Sequence, residues 1–229
     1  MLSSAGVPKV PSNPTHALGT RRCISDMTLT RKGSGSGSTS NEVVAHQRNA
    51  TILMGQRSNA SGVKNLVAAL QNKSKSGTEI PLKECAMLAQ IASDAYYRVV
   101  IGTSGGVEAI ATAMKAFPMH QNIQESCCSA LGRLCDRNGN NTAVVESLGG
   151  LQAIMAAMKN HTDSIAVQSE ACEALRKMST LIVTEARKSG KGFLDELQGL
   201  LSAAKEMYIT PSAKKSAEQL LTAIAAIQQ

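Results

Sequence analysis

Aromatic residues are almost absent from this chain of 229 residues, which contains no tryptophan, two phenylalanines and three tyrosines. Hydrophobic residues nevertheless make up 43% of the sequence, enough to bury a sizeable core. Such a core must be built mainly from Ala, Leu, Ile, Val and Met. Because strands favour aromatic and β-branched residues, this composition disfavours a β-sandwich and predicts an all-α fold of closely packed helices.

Long apolar runs and a strongly one-sided charge are also lacking. The apolar run LLTAIAAI, at residues 220–227, is far shorter than the ~20 residues that cross a bilayer, so no membrane span is predicted. The formal charge is +7, but residues 1–40 contribute +4 of it through five Lys or Arg against the single acid Asp26. The rest of the chain is nearly balanced, which argues against a nucleic-acid partner.

The first 48 residues are rich in serine, glycine and proline, and include the run GSGSGS. They cannot bury enough apolar surface to offset the entropy of ordering, so a disordered basic tail is predicted for residues 1–48. Two sharper interpretations stay open. Residues 1–40 combine Arg and Ser with few acids, as organelle transit peptides do, and Ser25 and Ser34 follow basic residues as kinase sites do.

The remaining residues, 49–229, repeat a pattern at an interval of 44. The segment that starts at Gly105, GGVEAIATAMKAFPMHQNIQESCCSALGRLC, aligns without a gap with the one that starts at Gly149, GGLQAIMAAMKNHTDSIAVQSEACEALRKMS. Eleven of the 31 aligned positions are identical, among them Gln124 with Gln168. Repetition at this period is typical of helical repeat proteins.

Two further copies are less regular. An earlier one begins near Gly62, and a later one covers the C-terminal region, where the register at Leu220 and Leu221 is ambiguous. The predicted divisions are three repeats, at 49–92, 93–136 and 137–180, followed by a divergent C-terminal cap at 181–229.

Apolar residues within each copy recur at helical spacing, as Val107, Ile110 and Met114 do. Each copy therefore predicts a short first helix and two longer ones. The strand-like residues YYRVVI, at 96–101, are interpreted as such a first helix. Since no helix can bury its apolar stripe alone, stacked copies must supply each other's core.

The repeats resemble the armadillo family. The resemblance rests on the paired glycines, on the second-helix patterns GGVEAIATAMK and GGLQAIMAAMK, and on the third-helix patterns CCSALGRLC and ACEALRKMS. It is strong over about residues 100–180 and weaker elsewhere. It implies a right-handed α-solenoid, an armadillo-like superhelix that binds extended peptides or partner domains in a concave groove lined by third helices.

Under this resemblance, five third-helix residues are candidates for contacting a partner: Gln90, Ser129, Arg133, Glu173 and Lys177. The importin-alpha type carries Trp and Asn on this helix, whereas the chain has no Trp, so binding of nuclear-localisation peptides is not expected. The cations Arg133 and Lys177 favour an acidic peptide as the partner, the alternative being that both are merely solvated.

The residues GTSGG, at 102–106, also match G-x-S-x-G, the motif that holds the nucleophile of α/β-hydrolases. In the next copy the paired glycines persist, while Ser104 is replaced by Leu148 and Gly102 by Glu146. We therefore interpret the glycines as structural hinges, where one helix ends in a left-handed residue and backbones approach closely. The predicted hinge residues are Gly62, Gly105, Gly106, Gly149 and Gly150.

The cysteines do not predict a metal site. Cys127, Cys128 and Cys135 lie close in sequence, but a vicinal pair on one helix points in two directions and does not converge on zinc. Cys128 and Cys172 occupy the same apolar position in two copies, with Cys85 in register in the earlier one, so packing in the core is expected. Neither a metal nor a cofactor is expected.

These patterns favour a non-enzymatic protein–protein interaction module, an adaptor or regulatory scaffold that binds a protein or peptide. One alternative is a structural or assembly factor that self-associates through the ends of the solenoid. A remote alternative is a serine hydrolase that uses Ser104. Reduced cysteines favour the cytoplasm, with the nucleus, or an organelle if residues 1–40 are a transit peptide, as the alternatives.

Overall fold

The computed structural model describes residues 60–207 and 209–228. Every regular element in these two ranges is an α-helix, and they contain no strand, so the all-α prediction is confirmed. Several predictions fall outside the described residues: the tail at 1–48, the sites Ser25 and Ser34, and residues 49–59 of the first predicted repeat.

Eleven helices occur in the described ranges. In chain order they are α1 (Ala60–Ser76), α2 (Leu82–Ile91), α3 (Ala95–Thr103), α4 (Gly106–Ala116), α5 (Gln121–Cys135), α6 (Gly139–Ser147), α7 (Gly150–Asn160), α8 (Ile165–Lys177), α9 (Ser179–Ser189), α10 (Lys191–Glu206) and α11 (Pro211–Ile227). The residues YYRVVI lie within α3, which confirms the predicted first helix.

The helices follow one another in units of three: α3 to α5, α6 to α8 and α9 to α11, with α1 and α2 before them. Helices at the same place in successive units pack side by side. One row contains α2, α5, α8 and α11, and a second contains α1, α4, α7 and α10. The first helices α3 and α6 are also in contact. One apolar core runs through all the units, from Val63 in α1 to Ile224 in α11.

Polar side chains set where several helices begin. In each case a side-chain oxygen accepts a backbone N–H from the first turn, an interaction that stabilises a helix by about 1 kcal/mol. The capping residues are Asp94 before α3, Asn138 before α6, Ser164 before α8 and Thr210 before α11. Repetition of these caps explains why the short first helices α3 and α6 begin at matching places.

The two glycines of each pair have different roles at the junction of the first and second helices. Gly105 and Gly149 have φ of 76° and 71°, the left-handed conformation that a residue with a Cβ adopts at a cost. A Cβ on Gly106 would meet Ile101 Cγ2 at 2.2 Å, and one on Gly150 would meet Val145 Cγ1 at 2.3 Å. The first glycine of each pair therefore turns the chain, and the second lets two helices approach.

Gly62 occupies the third position of α1. It aligns with Gly106, the first residue of α4, but the residues that would form the preceding first helix lie outside the described ranges. The sharp turn seen at Gly105 and Gly149 is thus described at two of the three aligned junctions.

The identity of Gln124 and Gln168 has a structural reason. The buried Gln124 amide donates to the carbonyl oxygens of Met114 and Phe117, both at 2.9 Å. Gln168 repeats the arrangement with the carbonyl oxygens of Met158, at 2.8 Å, and His161, at 3.0 Å. Because the last carbonyls of a helix have no partner within it, each glutamine satisfies the C-terminal end of a second helix.

Candidate partner-binding surface

The C-terminal halves of α5 and α8 lie against each other and carry most of the predicted contact residues. An added Cβ on Gly132 of α5 would lie 2.7 Å from Ala174 Cα of α8, so the two backbones approach closely. This approach brings together the side chains on either side of Gly132 and Ala174 in the sequence. We call the resulting patch the α5–α8 surface; it comprises Ser129, Arg133, Glu173, Arg176 and Lys177.

Lys177 is the half-buried centre of the α5–α8 surface. Burial lowers the pKa of its ammonium group, and the positive charges of Arg133 and Arg176 lower that pKa further, while Asp136 and Glu173 oppose the change. No ion pair involves Lys177 within the part of the chain that the structure describes. An anion bound beside Lys177 would therefore relieve an unfavourable charge arrangement.

The acidic neighbour Asp136 is already engaged elsewhere. Its carboxylate oxygen Oδ2 lies 3.2 Å from Arg98 Nη1, and its backbone carbonyl accepts a hydrogen bond from the same nitrogen at 2.8 Å. Because Asp136 is paired with Arg98, its negative charge is only partly available to Lys177. Among the charges that act on Lys177, the cations Arg133 and Arg176, with Lys177 itself, outnumber the anions Asp136 and Glu173 by one.

Both arginines of this surface are held by neighbouring helices. Arg133 Nη1 donates to the Ala89 carbonyl oxygen in α2 at 2.8 Å, and Arg176 Nε donates to Ser216 Oγ in α11 at 3.2 Å. Neither is simply a solvated side chain. Since a guanidinium group has five N–H donors, each arginine keeps others for a ligand after making its fixing bond.

The other predicted contact residues differ in how much they expose. Glu173 and Gln90 are half-buried, whereas Ser129 is only 8% exposed and offers little contact area. The Oε1 atom of Gln90 is shielded from solvent and accepts no hydrogen bond from the described residues. Gln90 follows Ala89, whose carbonyl binds Arg133, so the structure brings Gln90 to the edge of the same surface.

A pair of glutamates in the N-terminal halves of α5 and α8 was not among the sequence candidates. Burial raises the pKa of the Glu125 carboxyl, and the nearby negative charge of Glu170 raises it further. Glu125 and Arg133 are eight residues apart on α5, so helical spacing could have indicated that they share a face. On α5 the acidic Glu125 therefore lies about two turns before the basic Arg133.

The serine of the G-x-S-x-G match has a local role. Ser104 is the C-cap that follows α3, and its hydroxyl donates to the Val100 carbonyl oxygen, one turn earlier, at 2.6 Å. The motif follows a helix here, whereas the nucleophile motif requires a strand before it. The hydrogen bond of Ser104 thus satisfies a carbonyl at the end of a helix.

The described cysteines are buried thiols. Cys85, Cys128 and Cys172 are all fully buried, which confirms their predicted place in the core. Burial raises the pKa of Cys172 to about 12 and that of Cys135 to about 11, so these thiols stay protonated at neutral pH. Cys85 Sγ and Cys127 Sγ lie 3.7 Å apart between α2 and α5.

Within the described ranges, no group of three or more His, Cys, Asp or Glu side chains could hold a metal ion. None of the helices described has the length and apolar character needed to cross a membrane.

Comparisons with models of known protein families, with curated proteins and with solved structures find no match for this chain. Of the surfaces described, the α5–α8 surface combines close helix packing with an excess of cations and a half-buried lysine without an ion pair.

Proposed function

We propose that this chain is a cytoplasmic adaptor or regulatory scaffold, a non-enzymatic module of the armadillo type that folds as a right-handed α-solenoid. Its α5–α8 surface binds an acidic, extended segment of a partner protein. Lys177 contributes the central charge, and Arg133 and Arg176 lie beside it as oriented donors. Two observations support this function: the resemblance of the repeats to the armadillo family, and the charges that α5 and α8 bring together.

The arrangement of the helices supports the repeat assignment. Helices at the same place in successive units pack side by side, and two of the units begin their second helix after a left-handed glycine. Stacking of this kind leaves one side of the third-helix row exposed over several units, as an extended ligand requires. The half-buried state of Glu125, Glu173 and Lys177 fits such an exposed side.

The environment of Lys177 is the single observation that supports an acidic partner. Its pKa is lowered by burial and by two neighbouring arginines, and its acidic neighbour Asp136 is paired with Arg98. Carboxylates of a partner would supply the missing negative charge. Close charge pairs at an interface contribute about 1.5 kcal/mol or more, so one such contact would change affinity by roughly tenfold.

A peptide titration tests this function. The probes are a short labelled peptide of alternating glutamate and serine and the same peptide with glutamine in place of glutamate, followed by fluorescence anisotropy at low and moderate salt. We expect the glutamate peptide to bind more tightly and its affinity to fall with salt. The variant Lys177→Glu should weaken this binding by about tenfold or more.

Lys64→Glu is the matched control. Lys64 is exposed on α1, in the other helix row, so this variant changes the net charge equally without touching the α5–α8 surface. Its affinity should equal that of the wild type. Equal affinity of Lys177→Glu and wild type, with both variants folded, would contradict the proposed site.

A further inference from the structure

The last unit has an apolar groove that no described helix covers. A cavity of ≈ 160 Å³ lies between α9 and α11 and is lined largely by aliphatic side chains: Ile182, Val183, Leu220, Ala223, Ile224 and Ile227. A second cavity of ≈ 500 Å³ continues from Ile227 towards α10, where Arg187, Lys191 and Asp195 form part of its wall. We call the two together the end groove.

An inner unit shows what occupies the corresponding place. Helix α6 packs against α3, α4 and α5, the three helices of the unit before it. Its buried Asn141 donates through Nδ2 to the carbonyl oxygens of Arg98 in α3 and Leu134 in α5, both at 3.0 Å. Val145 of α6 is fully buried as well. The space between a first and a third helix is thus a seat for another helix.

The end groove corresponds to the seat of α6 on the unit of α3 to α5, because residues at equal distances from the helix N-caps line both. Arg98 lies four residues after the N-cap Asp94, and Ile182 lies four residues after the N-cap Met178. Leu134 and Ile224 each lie fourteen residues after the N-cap of their own third helix, His120 and Thr210. The two residues that accept the bonds of Asn141 therefore correspond to Ile182 and Ile224, and both line the end groove.

The charges at the groove specify its occupant further. Arg187 and Lys191 are exposed and make no ion pair with the described residues. Lys188, which lies between them in sequence, is already paired with Glu146 of α6. Asp195 accepts a hydrogen bond from Gln228 Nε2 at 3.1 Å. An occupant with carboxylates beside its apolar stripe would complement the two unpaired cations.

A second copy, stacked end to end, fits these charges poorly. Helix α1, at the other end of the described array, contains three lysines and no acidic residue, and of these lysines only Lys73 makes ion pairs with described residues, Glu79 and Glu84. Such a contact would bring the other two, Lys64 and Lys75, towards Arg187 and Lys191. Like charges across an interface suppress association, so the charge pattern favours a different protein.

We propose that the end groove is a second binding site, which takes an amphipathic helix from a partner protein. The apolar stripe of that helix lies between α9 and α11, in the seat that α6 occupies on the unit of α3 to α5. Carboxylates on its flank face Arg187 and Lys191. This site does not depend on the α5–α8 surface or on the function proposed for that surface.

Two labelled helical peptides test the proposal: one with leucine at helical spacing flanked by glutamates, and the same sequence flanked by lysines. Fluorescence anisotropy gives affinities, and NMR shift changes locate the contacts. The groove variant is Val183→Asp with Ala223→Asp, both at positions that reach solvent. The matched control is Val99→Asp, at a valine of α3 that is 53% exposed.

We expect the glutamate peptide to shift signals of α9 and α11. The groove variant should lose about tenfold or more in affinity, because an unpaired carboxylate in an apolar seat is costly to desolvate. The control should bind like the wild type. The exposed variant Arg187→Glu with Lys191→Glu, which leaves the apolar wall intact, should remove the preference for the glutamate peptide over the lysine peptide.

Three results would overturn the proposal. One is that neither peptide binds the wild type, and another is that the groove variant binds as tightly as the control. The third comes from light scattering: self-association of the wild type that the groove variant abolishes would identify the occupant as a second copy.

Discussion

The two inner units, α3 to α5 and α6 to α8, differ from the last unit, α9 to α11, in how they satisfy their polar groups. In each inner unit a left-handed glycine precedes the second helix. A buried glutamine of the third helix donates to carbonyls at the C-terminal end of that second helix. In the last unit Gly190 has φ 72° and ψ −159°, and exposed Lys214 stands four residues after the N-cap, where Gln168 stands in α8. Repetition is strict only in the inner units.

The difference has a physical reason. An inner unit is packed on both sides, so its helix ends are shielded from water and need partners within the protein. The last unit has one side uncovered in the described structure, and water can reach its helix ends. The end groove has the same cause. It lies on the open side of the last unit, where no described helix packs as α6 packs on the unit of α3 to α5.

The largest expected effect comes from the inner contact between α5 and α8. In Gly132→Ala the added Cβ would meet the backbone of Ala174, which cannot move aside easily, and we expect a loss of about 2–3 kcal/mol in the free energy of unfolding. Denaturant unfolding measures this loss.

Gly199→Ala is the matched change in the last unit. Gly199 lies within α10 with nothing within 4 Å of an added Cβ, so this variant should be more stable by about 0.5–1 kcal/mol. Equal effects at Gly132 and Gly199 would mean that the α5–α8 contact is not close.

A smaller effect is expected from the buried glutamine of an inner unit. Gln168→Leu keeps the approximate volume but leaves the Met158 carbonyl without its side-chain donor, while the His161 carbonyl keeps only the Ser164 N–H, which should cost about 2 kcal/mol. Lys214→Leu, the same change at the aligned position of the last unit, should have little effect. Thermal and denaturant unfolding of both variants test the difference, and a neutral Gln168→Leu would contradict the role given to this side chain.

The smallest effect concerns Glu125, whose carboxyl pKa is raised by burial and by Glu170. The folded state then disfavours the charged form, so Glu125→Gln should be more stable than the wild type at neutral pH. Solvent screening limits the gain to about 0.5 kcal/mol.

The gain in Glu125→Gln should shrink as pH falls through the raised pKa and vanish below the usual value of 4.5, where the wild-type carboxyl is protonated in both states. Lys215→Gln is the control, since Lys215 stands at the same distance from the N-cap in α11. An advantage of Glu125→Gln that persists undiminished in acid would show that charge is not its cause.

Much of the fold could be predicted from the sequence because apolar spacing and paired glycines are local signals. The helix over YYRVVI and the burial of Val107, Ile110 and Met114 follow from such signals, and both are confirmed. The register of the last unit could not be predicted. The N-caps of α8 and α11 are 46 residues apart instead of 44, and this places Leu220 in the core and Leu221 at its edge.

The chemistry of the candidate surface was less accessible from sequence. Long side chains reach across helices, so the bond of Arg133 to Ala89 and the pairing of Asp136 with Arg98 depend on tertiary packing. The sequence pattern indicated which third-helix residues repeat. It could not indicate that Ser129 is buried or that Lys177 is left without an ion pair.

Hydrogen–deuterium exchange of the full chain with the extended glutamate–serine peptide tests the proposed function most directly. Bound peptide should slow exchange in the C-terminal halves of α5 and α8, around Arg133 and Lys177, and leave α9 and α11 unchanged. The Lys177→Glu variant should show no such slowing. Protection confined to the end groove, or equal protection in wild type and Lys177→Glu, would contradict the assignment of the α5–α8 surface as the site for acidic partners.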